Sequence, residues 1–146
     1  MSAFIINPLP AGDVDADAAT ARRRLADGPL PCRRCLRNAE LGDDLVLAAY
    51  DPFTLRSPYA GDGPVFVHAD GCERFDSVPG AVSEQVNGRV LSVRAYDGDA
   101  MMTDATVLKG ERFTERVDEL LDDTRVAFLH VHFAGPGCFA FRVDRA

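Results

Sequence analysis

Cys32 and Cys35 stand with two residues between them, and much later in the chain His68 and Cys72 stand with three between them. Three soft thiolates and one imidazole are the donor set of tetrahedral zinc. Two short-range ligand pairs would clip two loops together and lower the loop entropy each loses on folding. Cys32, Cys35, His68 and Cys72 therefore form a candidate zinc site. Its role would be structural, because four protein ligands leave no open position for water or substrate. The same residues also admit plain packing, with the cysteines as small buried groups and His68 hydrogen-bonded at a strand end. A third reading is thiol-disulfide chemistry at Cys32 and Cys35, where Arg33 and Arg34 would stabilise a thiolate. A thioredoxin-type motif needs a helix starting at the first cysteine, however, and Pro29 to Cys32 reads as loop.

His130 and His132 are two apart on an expected strand and so share a face. That spacing can chelate a metal, but it also suits two polar residues on an open sheet face, and no Asp or Glu sits beside them. A regular four-residue loop would pair Phe133 with Cys138 and turn that thiol away from both histidines unless a bulge intervenes. A metal-free alternative is a cleft of Tyr59, Arg94, His130 and His132, in which Arg94 holds a small anionic ligand bidentately and a histidine transfers a proton. Serine catalysis lacks a Gly-x-Ser-x-Gly motif, and Gly110 is followed by Glu111 where a phosphate loop needs Lys.

These residues must be positioned by short elements. Phe4 to Ile6 reads as a strand stopped by Asn7, Pro8 and Pro10. Asp13 is a suitable N-cap for a helix through Val14, Ala18, Ala21 and Leu25, closed by Gly28, with acidic residues early and Arg22 to Arg24 late. Pro29 to Asp44 reads as loop, Leu45 to Tyr50 as a strand buried on both faces, and Pro64 to Ala69 as a strand beginning after a glycine-rich turn. Asn87-Gly88 and Asp97-Gly98 supply positive-φ pairs for tight hairpins around a strand from Arg89 to Tyr96, whose partner is Met101 to Leu108. Phe113, Val117, Leu120 and Leu121 repeat at helical spacing. A final hairpin joins Val126 to Phe133 with Cys138 to Val143. The expectation is an α+β fold, a mostly antiparallel sheet of about six or seven strands with two helices, because hairpins dominate and helices do not alternate with strands.

At 146 residues, 47% hydrophobic and 27% charged, the chain has the size and composition of a single domain spanning 1–146. Its 16 Lys and Arg against 23 Asp and Glu leave a formal charge of −7, which disfavours a phosphate backbone as partner. No nucleic-acid partner is expected. No run approaches the ~18 apolar residues of a membrane span, and Met1 to Gly12 lacks a secretory core, so a cytoplasmic protein with no membrane partner is expected. Its four cysteines would then be thiols, metal ligands or redox groups. Exposed strand edges would admit pairing into a homo-oligomer.

Ser57-Pro58-Tyr59, Gly63-Pro64-Val65-Phe66-Val67, Arg94-Ala95-Tyr96-Asp97 and Met101-Met102 carry a family likeness. So does the ending, His130-Val131-His132, Ala134-Gly135-Pro136-Gly137-Cys138 and Arg142-Val143-Asp144-Arg145. From about Cys32 to the C-terminus the chain resembles an uncharacterised bacterial family, domain of unknown function 1203. The resemblance implies kinship and an unassigned role, and it transfers no catalytic residue. It also implies that the position of Cys32 and the closing motif belong to the family pattern. The resemblance further implies that relatives can carry other residues where this chain has Cys35, His68 and Cys72, so a four-ligand zinc site would be a feature of some members only. Phe133 stands where similar proteins tend to have Asn.

Overall fold

A computed structural model describes residues 3–146. Among them the strands are β1 (Phe4–Asn7), β2 (Arg22–Leu25), β3 (Asp44–Tyr50), β4 (Gly63–His68), β5 (Val90–Tyr96), β6 (Met102–Lys109), β7 (Phe128–Phe133) and β8 (Phe139–Arg145). One α-helix, α1 (Phe113–Asp122), and two 3-10 turns complete the regular structure. The strands form a five-stranded sheet in the order β1-β8-β7-β5-β6 and a three-stranded sheet in the order β2-β3-β4. Every strand pair is antiparallel, as the hairpin-rich sequence implies, although the strands number eight in two sheets and the helices one.

The missing helix is the one expected from Asp13. Residues 16–20 fold as turns and a bend, and the basic run becomes β2, an exposed edge strand whose Arg23 pairs with Asp44 at the start of β3. A stripe made mostly of alanine buries too little to hold a helix against a sheet, whereas β3 offers the arginine run a complete row of backbone partners. Charged side chains also suit a sheet edge, since they discourage pairing with another chain.

Phe113, Val117, Leu120 and Leu121 are buried on one stripe of α1, as their spacing predicts. They pack on Leu91, Val93, Leu129, Val131, Phe141 and Val143 of the large sheet. Phe113 meets Phe4 and Phe141 edge-on, with ring centroids 6.0 and 5.8 Å away. Ahead of α1, Gly110 lies so close to the backbone of Val86 that an added Cβ would stand 1.6 Å from the Val86 carbonyl oxygen. No other residue type fits there. Val46, Ala48, Tyr50, Val65 and Val67 of the small sheet gather around Phe139, which projects from β8 on the side away from α1. On β3 the burial is less even than expected, since Ala49 is exposed and Leu47 half-buried.

Two turns depart from their expected form. Asn87-Gly88 follows a 3-10 turn (Glu84–Val86) and leads into β5 without joining two strands, although Gly88 does take a φ of 71°. The β5–β6 hairpin is present, but its loop spans five residues and the left-handed position is Ala100, at φ 57°, not Gly98. The Asp97 carboxylate accepts the backbone N–H groups of Asp99 and Met101 at 2.9 and 3.0 Å, and this side-chain turn replaces the tight two-residue one. In the last hairpin, Phe133 donates its N–H to the Cys138 carbonyl at 2.9 Å, and a bulge sits between Val131 and His132.

Candidate metal centre

The two halves of the Cys/His set arrive from different directions. Cys32 lies beside β4, where it forms a parallel bridge to Phe66, and Arg33 donates its N–H to the Phe66 carbonyl at 2.8 Å. Residues 33–35 then turn back sharply. Leu36 adopts a φ of 56° and donates its N–H to the Cys32 carbonyl at 3.0 Å. The turn itself brings Cys35 back beside Cys32, and the left-handed Leu36, costly for leucine, redirects the chain that leaves it. His68 closes β4, and Gly71, at φ 84°, bends the chain so that Cys72 returns to the same spot.

The result is a convergent set. The four donor atoms of Cys32, Cys35, His68 and Cys72 all lie within 4.8 Å of one another. Cys32 Sγ is 3.7 Å from Cys72 Sγ, and Cys35 Sγ is 3.7 Å from His68 Nδ1. A tetrahedron with zinc–sulfur bonds of about 2.3 Å and a zinc–nitrogen bond of about 2.0 Å has edges of roughly 3.5–3.8 Å, so these two edges already fit and the widest needs to close by about an ångström. All four cysteines are free thiols. The Cys32–Cys72 separation is far above the ~2.05 Å of a disulfide.

The surroundings hold each donor in place. His68 Nε2 is 3.0 Å from Asp43 Oδ2, which leaves Nδ1 to face the sulfurs. A carboxylate behind a ligating imidazole is the usual way to fix its tautomer. The His68 backbone N–H donates to Cys32 Sγ at 3.4 Å, and Arg34 Nη1 reaches Cys72 Sγ at 3.8 Å while Nη2 pairs with Asp13 at 2.8 Å. Buried Gln85 donates Nε2 hydrogens to the Cys32 and Arg37 carbonyls at 2.9 and 2.8 Å, and Ser83 Oγ donates to the Leu36 carbonyl at 2.8 Å. Arg34 was legible in the sequence as a thiolate-stabilising neighbour of the cysteines, whereas Asp43, Ser83 and Gln85 carried no sequence signal, because none lies at a ligand-like spacing from the donors.

The electrostatics favour one thiolate in the absence of metal. A hydrogen bond from the Cys35 thiol, opposed by burial and helped by backbone N–H groups of Cys35, Arg34 and His68, holds Cys32 down at about 4. The shared hydrogen bond pushes Cys35 up in turn, with burial adding to it. Burial, followed by the nearby Cys32 sulfur, raises Cys72. Burial pulls the His68 imidazole down, but Asp43 and Cys32 outweigh it and the net direction is up.

The other expected residues lie on the face of the large sheet opposite α1. The register sets Arg94, His130 and Arg142 side by side on β5, β7 and β8. His132 Nδ1 is 3.1 Å from the Gly137 carbonyl, which can only accept, so Nδ1 carries the hydrogen. Its Nε2 then faces Arg94 Nη1 at 3.4 Å. His130 is 0% exposed, and neither ring nitrogen has a hydrogen-bond partner among the described residues. Phe53, Tyr96, Phe128 and Phe139 surround it with centroids 4.7–5.3 Å away. Burial, then the charges of His132, Arg142 and Arg94, lowers His130 to about 3. Tyr59 is exposed and meets Tyr96 edge-on at 5.6 Å. The structure thus brings Arg94 and His132 together and places His130 behind aromatic rings. Cys138 does not join the histidines despite the bulge, for its sulfur accepts from Arg33 Nη2 at 2.8 Å.

A sequence profile for proteins of unknown function, DUF1203, matches residues 29–145. The chain belongs to the DUF1203 family. That span takes in all four donors of the Cys/His set and every strand except β1 and β2. No curated protein and no solved structure matches the chain. Among the described residues no helix is long and apolar enough to cross a membrane.

Proposed function

We propose that this DUF1203 protein binds one zinc ion through Cys32, Cys35, His68 and Cys72, and that the ion's role is structural. The observation that carries this reading is the convergence of all four donor atoms within 4.8 Å, drawn from two loops far apart in sequence. Zinc supplies the one feature the cluster lacks, a centre that binds three sulfurs and a nitrogen at once. With three thiolates and one neutral imidazole the occupied site carries one net negative charge, and Arg34, itself paired with Asp13, lies beside Cys72. The ligand count leaves no position for a substrate. Bound metal would tie the loop around Cys32 to the end of β4, and through Gln85 to the turn that precedes β5.

A thioredoxin-type role has less support. Residues 33–35 form a turn, so Cys32 lacks the helix N-terminus that such a motif uses to activate its first thiol.

Native mass spectrometry of protein purified without chelator or added metal tests the reading. One zinc per chain is the expected mass, and stripping it should lower the melting temperature. A metal-free chain whose melt is indifferent to added zinc would reduce the cluster to packed thiols.

A further inference from the structure

A cavity of about 600 Å³ opens where the outward face of the small sheet meets the end of β7 and the loop before β8. It falls inside the ~300–1,000 Å³ range of small-molecule sites. Leu30, Leu47, Phe66, Val90, Phe133 and Pro136 make most of its wall. Arg24, Arg33 and Arg89 are the charged residues lining it, and no carboxylate joins them, although the whole chain carries −7.

Arg24 is matched by Asp27 at 3.1 Å, but among the described residues no carboxylate lies within ion-pair distance of Arg33 or Arg89. Arg33 is only 1% exposed. Its Nε donates to the Phe139 carbonyl at 2.7 Å, Nη1 to the Pro31 carbonyl at 2.7 Å and Nη2 to Cys138 Sγ at 2.8 Å. The two carbonyls are dipoles that carry no charge, and a guanidinium has five N–H donors, so hydrogen-bonding capacity remains. Cys32 is next in sequence, but its sulfur faces Cys72 and the His68 amide. Arg89 likewise donates to two carbonyls, those of Gln85 and Pro29, at 2.9 and 2.6 Å. Both guanidinium groups rest on the Phe133 ring, 5.0 and 5.2 Å from its centroid, so an anion beside that ring feels both charges. No carboxylate within ion-pair distance offsets either guanidinium, the Cys138 and Cys32 sulfurs being the negative groups that act on Arg33 and Glu84 acting on Arg89 from farther away, and an apolar cavity with such cations in its wall suits a ligand with one anionic group on an apolar body.

We infer that this cavity binds a small carboxylic acid with an apolar chain, its carboxylate at Arg89 and Arg33 and its chain along Leu47, Phe66, Val90 and Phe133. The site is separate from the Cys/His cluster, and its test uses the full chain with any metal retained.

Decanoate is the probe, measured by isothermal titration calorimetry, with decanol and decylamine as the neutral and cationic chains of the same length. Decanoate should bind saturably at one site per chain, and each control at least about tenfold more weakly, as expected for a charge-assisted guanidinium contact. Arg89→Met should weaken decanoate about tenfold or more. Leu47→Glu, which places a carboxylate on the cavity wall, should weaken it further, while circular dichroism and melting confirm that both variants fold. Peptide mapping after alkylation should show decanoate slowing the modification of Cys138, a cavity residue, with Cys32, Cys35 and Cys72 unchanged. No saturable decanoate binding, equal binding of decanol, or undiminished binding by Arg89→Met would each overturn the inference. So would a concentration-dependent dimer that protects Cys138 without ligand, since it would give the groove to a second copy of the chain.

Discussion

The cluster around His68 and the layer around His130 both bring an imidazole into a sheet protein's interior, yet their nitrogens meet opposite company. His68 has a carboxylate on one nitrogen and a sulfur near the other. His130 has neither, and four aromatic rings close around it. The first ring is held at a chosen angle, which a metal ligand requires. The second acts as a neutral, flat packing unit that gives up its hydrogen bonds. Groups on one strand face share one direction, while loops can approach a centre from several sides, and this is how the two regions differ in what they present.

The largest expected effect separates the two regions directly. Cys35→Ser should lose bound zinc and lower the melting temperature by roughly 10 °C or more, whereas His132→Ala should keep one zinc per chain. Metal content by elemental analysis decides the matter, and zinc lost only from the His132 variant would reverse the assignment.

Next comes the pH dependence of the aromatic layer. His130 titrates near its ordinary 6.5 when unfolded and about 3 when folded, so between those values the unfolded chain binds the extra proton and stability falls as pH falls. The slope from this one group approaches 1.4 kcal/mol per pH unit, roughly 4–5 kcal/mol across the window. His130→Phe removes it. Urea unfolding at pH 7 and pH 4 should show a smaller loss in the variant than in the parent, and parallel losses would mean that His130 is not held neutral.

A smaller change sharpens the metal side. Asp43→Asn keeps the shape of the carboxylate but weakens its hold on His68, so zinc affinity measured against a competing chelator should fall about 10–100-fold. An unaltered affinity would remove Asp43 from the site. Smallest of all, Arg94→Met deletes the partner of His132 at the half-buried edge of the aromatic layer and should cost less than about 1 kcal/mol in denaturant unfolding. A loss several times larger would show that Arg94 supports the layer around His130.

Much of the architecture was legible in local pattern. The stripe of α1 follows from one apolar residue per turn, and the last hairpin follows from its small and turn-forming residues. The stretch from Asp13 misled, because acidic residues before basic ones and a stripe of alanines imitate a helix, while the arginines pair along β3, which offers a row of backbone partners and the Asp44 carboxylate to Arg23. Gly98 misled for a related reason. The Asp97 carboxylate organises the turn and moves the left-handed position to Ala100, which no two-residue rule anticipates. Gly110 had no local signature, since the carbonyl that forbids a side chain there belongs to Val86.

The sequence by itself determined the donor types and their spacing, the antiparallel character of the sheets and the one buried helical stripe, all of which depend on neighbours a few residues apart. Only the tertiary structure decided that the two Cys/His pairs meet. That needed the bridge of Cys32 to Phe66, the bend at Gly71 and the placement of Asp43 behind His68 by the β3–β4 ladder. It alone covered His130 with Phe53 and left Arg33 buried without a carboxylate. Alternation along a strand states which side a residue faces, but what packs on that side comes from distant segments whose closure no local pattern encodes.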